Sequence, residues 1–260
     1  MKHTMRIHAV IGALAAMEAA LLGCGVASAA ESASTATSTT NPAPPQDAII
    51  LFDGADQDAW HSQTNKKWEE SDGAADWKLT QNGALEVVPN AGSLISKQRF
   101  GDFKIHFEFR LPEGDINGGV FLLARYEFGI KGSASAPEGL PCGAFENFKS
   151  PIRPSTKVLS PPNEWQTVDI DFQAPRFNDK GKLTKKARAT AWLNGVLIHE
   201  DVELGDRKGA AKRLGDAPAG PIMLQDHGEA YQFRNIWVVE KSELGSQGKS
   251  ASPTASGAVQ

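Results

Sequence analysis

The side chains best suited to chemistry in this chain lie in a few short stretches. Arg125 and Glu127 are two residues apart, and Gln225 and His227 repeat that spacing. On β-strands each pair points to one face. Asn117 stands just before the first stretch, and Glu108, Asp169 and Arg234 sit on further strand-like runs. Taken singly, each has an ordinary use. Arg125 with Glu127 makes a surface ion pair of small energy, and His227 beside Gly228 makes a solvated turn. As a set on the outer face of a curved sheet, they supply the donors and acceptors of a sugar-binding groove. The chain contains no His-Glu-x-x-His, Gly-x-Ser-x-Gly or Walker loop, so those motif-borne chemistries are not indicated.

The elements that must position these groups read as strands. Phe103, Ile105, Phe107, Phe109 and Leu111 alternate with Lys104, His106, Glu108 and Arg110. Period two predicts one buried and one polar face. Residues 119–130 read as one strand, with Val120, Leu122, Ala124, Tyr126, Phe128 and Ile130 on one face and Phe121, Leu123, Arg125, Glu127 and Gly129 on the other. Val168, Ile170 and Phe172 alternate in the same way, and late strands are expected at Ile222–Gln225 and Phe233–Val239. Asn82-Gly83 and Asn194-Gly195, each between apolar runs, predict tight hairpins whose two turn residues take positive φ. No long amphipathic helix is evident. Many short strands with regular turns predict an all-β sandwich or jelly roll. Two irregular stretches, 131–162 and 205–220, have the length of functional loops. Of the six Trp residues, one or two are expected to line a groove and most to fill the core.

The ends differ in character. Lys2 and Arg6, then the largely apolar Ile7–Leu22, predict a secretory signal peptide over 1–23. Leu21-Leu22-Gly23-Cys24 resembles a lipobox, which would place a lipid on Cys24, while Ala27-Ser28-Ala29 suits ordinary cleavage. Residues 24–47 read as a flexible Ser/Thr/Pro tether and 244–260 as a loose tail, with one domain over 48–243. With Cys24 lipidated or removed, Cys142 stands alone, so the fold must rest on its core; Cys142 is expected to be a structural thiol. The balance of 31 acidic and 27 basic residues suggests no nucleic-acid partner. Membrane association is expected only through the Cys24 lipid.

Longer stretches resemble one family. Leu51-Phe52-Asp53-Gly54 with Trp60, Phe103–Arg110, Asn117-Gly118-Gly119-Val120-Phe121, Arg125–Ile130, Glu164-Trp165-Gln166-Thr167, Ala174-Pro175-Arg176-Phe177, Leu193-Asn194-Gly195, Leu224–Gly228 and Phe233–Trp237 occur in the order found in 3-keto-disaccharide hydrolase domains. The resemblance implies a concanavalin-A-like, laminin-G-like jelly roll of two antiparallel sheets. It also implies action on glycosides already oxidised at C3, a small-molecule sugar being the partner. A C3 ketone makes the C2 hydrogen acidic, so a base can form an enolate and the C1 substituent can leave, after which water adds. On this reading Glu127 and His227 transfer protons or ligate a metal, and Arg125 and Gln225 orient substrate or steady the enolate oxygen. Asn117, Glu108, Asp169 and Arg234 are further substrate-binding candidates. A divalent metal ion could steady the enolate, although no ligand spacing marks one. Two positions depart from the family pattern: Gly118 stands where Ser is usual and Gly129 where Gln is frequent. Those changes raise the alternatives of a non-catalytic carbohydrate-binding module and of a surface interaction domain.

Overall fold

The computed structural model describes residues 43–63, 73–132, 139–208 and 214–241. The expected signal peptide, Cys24, most of the tether, and the C-terminal tail lie outside them. No helix among the described residues is long and apolar enough to cross a membrane.

Two antiparallel sheets make up the domain. The eight-stranded sheet runs in the order β15 (Val196–Glu203), β14 (Arg188–Leu193), β11 (Trp165–Gln173), β7 (Phe103–Arg110), β17 (Gln232–Glu240), β5 (Leu85–Glu86) and β4 (Lys78–Leu79), with β1 (Ile49–Phe52) also pairing with β17. The seven-stranded sheet runs β10 (Phe145–Glu146), β9 (Tyr126–Lys131), β8 (Asn117–Leu122), β16 (Gly220–Leu224), β6 (Leu94–Phe100), β2 (Trp60–Ser62) and β3 (Gly73–Ala74). A small ribbon joins β12 (Arg176–Phe177) to β13 (Leu183–Lys185).

The inner faces are those the alternation predicts. Phe103, Phe107, Phe109, Phe172 and Phe233 from the larger sheet meet Tyr126, Phe128, Phe145, Ile222 and Leu224 from the smaller. Phe107 meets Phe128 edge-on at 6.1 Å. Each such ring contributes about 1.5–3 kcal/mol on burial. Cys142 is buried and unbridged, and burial pushes its thiol up to about 11, which suits packing and not nucleophilic attack.

The two Asn-Gly turns differ. Asn194 and Gly195 both take positive φ, 51° and 74°, in the expected tight turn between Leu193 and Val196. At the other, Gly83 alone is left-handed (φ 71°), and the loop closes through Gly83 N–H to the Thr80 carbonyl and Thr80 N–H to the Ala84 carbonyl. That is a three-residue connection ending on a glycine.

Residues 119–130 are not one strand but the β8–β9 hairpin, turning at Leu123 and Ala124, both at φ 53°. The pairing is symmetric about residue 124: Val120 opposes Phe128, and Leu122 opposes Tyr126. Even-numbered strand residues therefore face the core on both arms, and the periodicity reads as unbroken. Left-handed Leu and Ala each cost roughly 1–2 kcal/mol. Burial of Leu123 in the core and the 2.8 Å bond from the Arg125 guanidinium to its carbonyl hold the turn.

Candidate functional site

The outer face of the seven-stranded sheet carries the first cluster. On β9, Glu127, Gly129 and Lys131 point outward; on β8, Asn117, Gly119 and Phe121 do. Gly119 and Gly129 are cross-strand partners, and each leaves room for a carboxyl. A Cβ on Gly119 would lie 2.9 Å from Glu127 Oε1, and one on Gly129 would lie 2.1 Å from Glu146 Oε1. Glu146 arrives from the 131–162 stretch, which pairs along β9 as β10 and sets Glu146 opposite Glu127. The next residue, Asn147, takes φ 57° and donates its side-chain amide to Glu127 Oε2. Asparagine tolerates that conformation.

Charges are arranged unequally across the pair. Glu127 is buried (5% exposed) beside the apolar Phe121. Burial first, and then the neighbouring Glu146 charge, push its carboxyl up to about 8, against the opposing pull of Lys131 and the Asn147 hydrogen bond. Glu146 is raised as well, chiefly by burial, but Lys131 lies 3.3 Å from its Oε2 and opposes the shift. Burial and the facing Glu146 charge thus push Glu127 furthest toward its protonated form, while Lys131 favours charge on Glu146.

The same lysine links the carboxyls to the histidine. Lys131 Nζ donates to Asn117 Oδ1, which turns the Asn117 amide nitrogen toward His227, 3.1 Å from Nε2. An amide N–H facing a ring nitrogen requires that nitrogen to accept. Glu229 Oε2 lies 3.6 Å from His227 Nδ1. Gln225 continues the outward positions of β16, and its backbone N–H donates to the Gly119 carbonyl at 3.0 Å. Three buried acceptor oxygens here, Glu146 Oε1, Gln225 Oε1 and Glu229 Oε2, have no hydrogen-bond partner. A ligand rich in hydroxyls supplies the missing donors.

The structure thus brings Glu127, His227, Asn117 and Gln225 to one face. Arg125 belongs elsewhere: it is 3% exposed, and its guanidinium holds the carbonyls of Leu123, Leu214 and Gly215. It ties the 205–220 stretch to the β8–β9 turn, its guanidinium engaged by main-chain carbonyls. Glu108, Asp169 and Arg234 lie on the outer face of the other sheet. There Arg234 pairs with Glu108 at 2.7 Å, Asn235 donates to Glu108 at 3.0 Å, and His106 Nδ1 lies 2.8 Å from Asp169. Alternation tells which residues face outward but not which sheet carries them. The Trp expectation also changes. Trp60 and Trp77 are core, whereas Trp165, Trp192 and Trp237 lie on the outer side of the eight-stranded sheet, and Trp68 is outside the described residues.

Sequence reasoning missed Lys131, Glu146 and Asn147. Lys131 was signalled by its period-two spacing from Glu127. Glu146 and Asn147 fall in a Pro- and Gly-rich stretch with no periodicity to read. Among the described residues, no group of three His, Cys, Asp or Glu side chains is gathered so as to hold a metal ion, and they offer no ligand set for the divalent ion considered above.

The two sheets form a jelly-roll β-sandwich with a carboxyl-bearing polar face on the seven-stranded one. The chain belongs to the family of 3-keto-alpha-glucoside-1,2-lyase-like domains, whose model matches residues 47–239. It is similar to a candidate glycosyl hydrolase from Parabacteroides distasonis ATCC 8503, at 29% identity and TM-score 0.64, over 79% of this chain and 95% of that one. Two further candidate glycosyl hydrolases from the same organism share the fold. One matches at 16% identity and TM-score 0.53, over 75% of this chain and 94% of that one. The other matches at 19% identity and TM-score 0.51, over 75% and 99%. No curated protein matches the chain.

Proposed function

We propose that this protein is an exported enzyme that cleaves 3-keto-glycosides by elimination and then hydration. The observation that carries this is the placing of Glu127 opposite Glu146 on one sheet face, joined through Lys131 and Asn117 to His227. The family and the fold support carbohydrate processing; the substrate and the steps are our reading.

His227 takes the C2 proton, whose acidity the C3 ketone provides, and becomes imidazolium. The electron pair moves to the C3 oxygen, where the Lys131 ammonium balances the enolate charge. The enolate collapses to a C1=C2 double bond, the C1–O bond breaks, and Glu127 protonates the departing oxygen. Water then adds at C1, with Glu127 taking its proton and His227 returning one to C2. The net result is hydrolysis, without the geometry of paired carboxylates flanking an unactivated glycosidic bond.

Turnover of a 3-keto-glycoside in deuterated water tests the route. His227 exchanges its proton with solvent, so the released 3-keto sugar carries deuterium at C2. Cleavage without C2 label, once internal return of the same proton is excluded, points to direct displacement at C1. Glu127→Gln and His227→Ala should each lower the rate by about a hundred- to ten-thousand-fold. Sugar binding with no turnover would favour a lectin-like module instead.

A further inference from the structure

A second polar, aromatic-walled cleft lies on the opposite side of the molecule, outside the Glu127 face. Four side chains cross four adjacent strands of the eight-stranded sheet in one row: Trp192 opposes Asp169, Asp169 opposes His106, and His106 opposes Trp237. All lie on the outer face, since Ile105, Val168, Ile170 and Val238 beside them fill the core. His106 is wholly buried beneath Trp237, the two rings stacked at 4.9 Å and 12°. Strand spacing sets the Trp192 and Trp237 backbones about 14 Å apart, with Asp169 on the floor between them. The resulting cleft has a volume of about 400 Å³, within the usual range of about 300–1,000 Å³ for small-ligand sites.

Its polar groups call for a particular ligand chemistry. Trp237 is 9% exposed, yet its indole N–H is buried without an acceptor. Buried indole N–H groups ordinarily find one. Asp169 has one oxygen within 2.8 Å of His106 Nδ1, and its side chain is 47% exposed. Lys104, Asp171 and Asp47 also line the cleft. A small anion would meet three carboxylates there. A small cation would meet Lys104. A neutral ligand with many hydroxyls can donate to Asp169, accept from Trp237 and lay a C–H face against the Trp192 indole.

We infer that this cleft is a glycan-binding site, separate from the proposed catalytic groove, and that it takes unoxidised sugar units. Stacking and hydroxyl recognition need no C3 ketone, so the site would hold the protein on a glycan while the other sheet works on an oxidised unit. The inference stands on the cleft and does not depend on the reaction assigned to the groove.

The test uses the mature chain with unoxidised maltohexaose and cellohexaose as probes, read by isothermal titration and Trp fluorescence. At least one probe should bind wild-type protein. Trp192→Ala should weaken that binding at least about tenfold, the loss of one aromatic contact of roughly 1.4 kcal/mol. Glu127→Gln should leave it unchanged, and Trp192→Ala should leave 3-keto-glycoside turnover unchanged. Trp192→Leu keeps apolar bulk on β14 without the π face; it serves if the alanine variant does not fold, and must show the same loss. No binding of either probe at millimolar concentration overturns the inference. So does binding that survives loss of Trp192 but disappears with Glu127→Gln, which would leave the groove as the sugar site.

Discussion

Glu127 and Glu146 are cross-strand partners on β9 and β10, and each carboxyl lies over a glycine, Glu127 over Gly119 and Glu146 over Gly129. Two carboxyls so close cannot both ionise cheaply. The folded protein keeps a proton on Glu127 up to about pH 8, whereas an unfolded glutamate releases it near 4.5. Between those values the native state binds more protons than the unfolded state, so this group's contribution to stability falls as pH rises, then levels above about pH 8. Glu127→Gln has the same shape and no such slope. The difference in unfolding free energy, variant minus wild type, should therefore grow with pH and flatten above the Glu127 pKa. Denaturant titrations across that range check it; a pH-independent difference would mean that Glu127 is ionised throughout.

The glycine floor makes a second prediction. Gly129→Gln drives into Glu146, because even a Cβ would lie 2.1 Å from its Oε1. Glu146 positions the reacting Lys131 and Glu127, and misplacing reacting groups by an ångström costs about a hundredfold in rate, so the single variant should lose about that much 3-keto-glycoside turnover. Combining it with Glu146→Gly opens the space again and should cost less than the two single changes together. Additive losses in a double-mutant cycle would show that Gly129 and Glu146 are not coupled.

Arg125 should behave as a structural clamp. Arg125→Ala removes bonds to three carbonyls and frees a turn with two left-handed residues. The expected loss is about 3 kcal/mol in unfolding free energy, with KM unchanged for the fraction that folds. A raised KM at unaltered stability would return Arg125 to substrate binding.

Glu108 offers the corresponding test on the other sheet. It is 1% exposed and accepts from Arg234 and Asn235. Burial would raise its carboxyl, but hydrogen bonds from His106, Asn235 and Arg234 hold it below its ordinary value. Its contribution is thus present above the unfolded glutamate pKa and is lost as pH falls through the lowered one. Glu108→Ala leaves buried partners uncompensated and should cost about 3–5 kcal/mol, while kcat of the folded enzyme stays at the wild-type value. A selective fall in kcat would instead connect the two faces.

Location is a proposal of its own, resting on the charged and apolar N-terminus. Mass spectrometry of the mature protein should find an acylated Cys24 as the first residue. An unmodified start at Ala30 would remove the lipid and leave export standing.

These outcomes also show where the sequence was legible. The core face was readable because Phe103–Phe109 and Val168–Phe172 alternate without interruption. The 119–130 hairpin was hidden because pairing about residue 124 preserves parity, so a fold-back looks like a continuation. Glu127 and His227 stand out as candidates from spacing and resemblance. Glu146 does not, because its position depends on β10 docking beside β9, a long-range pairing that leaves no local pattern. Glu108, Asp169 and Arg234 share the outward parity of the Glu127 face but stand on the other sheet.

The sheet edges bear on how the chain survives while still unfolded. Among the described residues, three of the four strands that end the two sheet orders, β3, β4 and β10, span two residues each, and β1 lies off the order beside β17. The fourth, β15, is broken by irregular pairing and a left-handed Asp201, and carries Glu200, Asp201 and Glu203. Short, kinked and acidic borders give another copy little to add a strand to. In a chain whose fold rests on no internal disulfide, these borders disfavour fibril-like stacking and edge-to-edge aggregation during refolding.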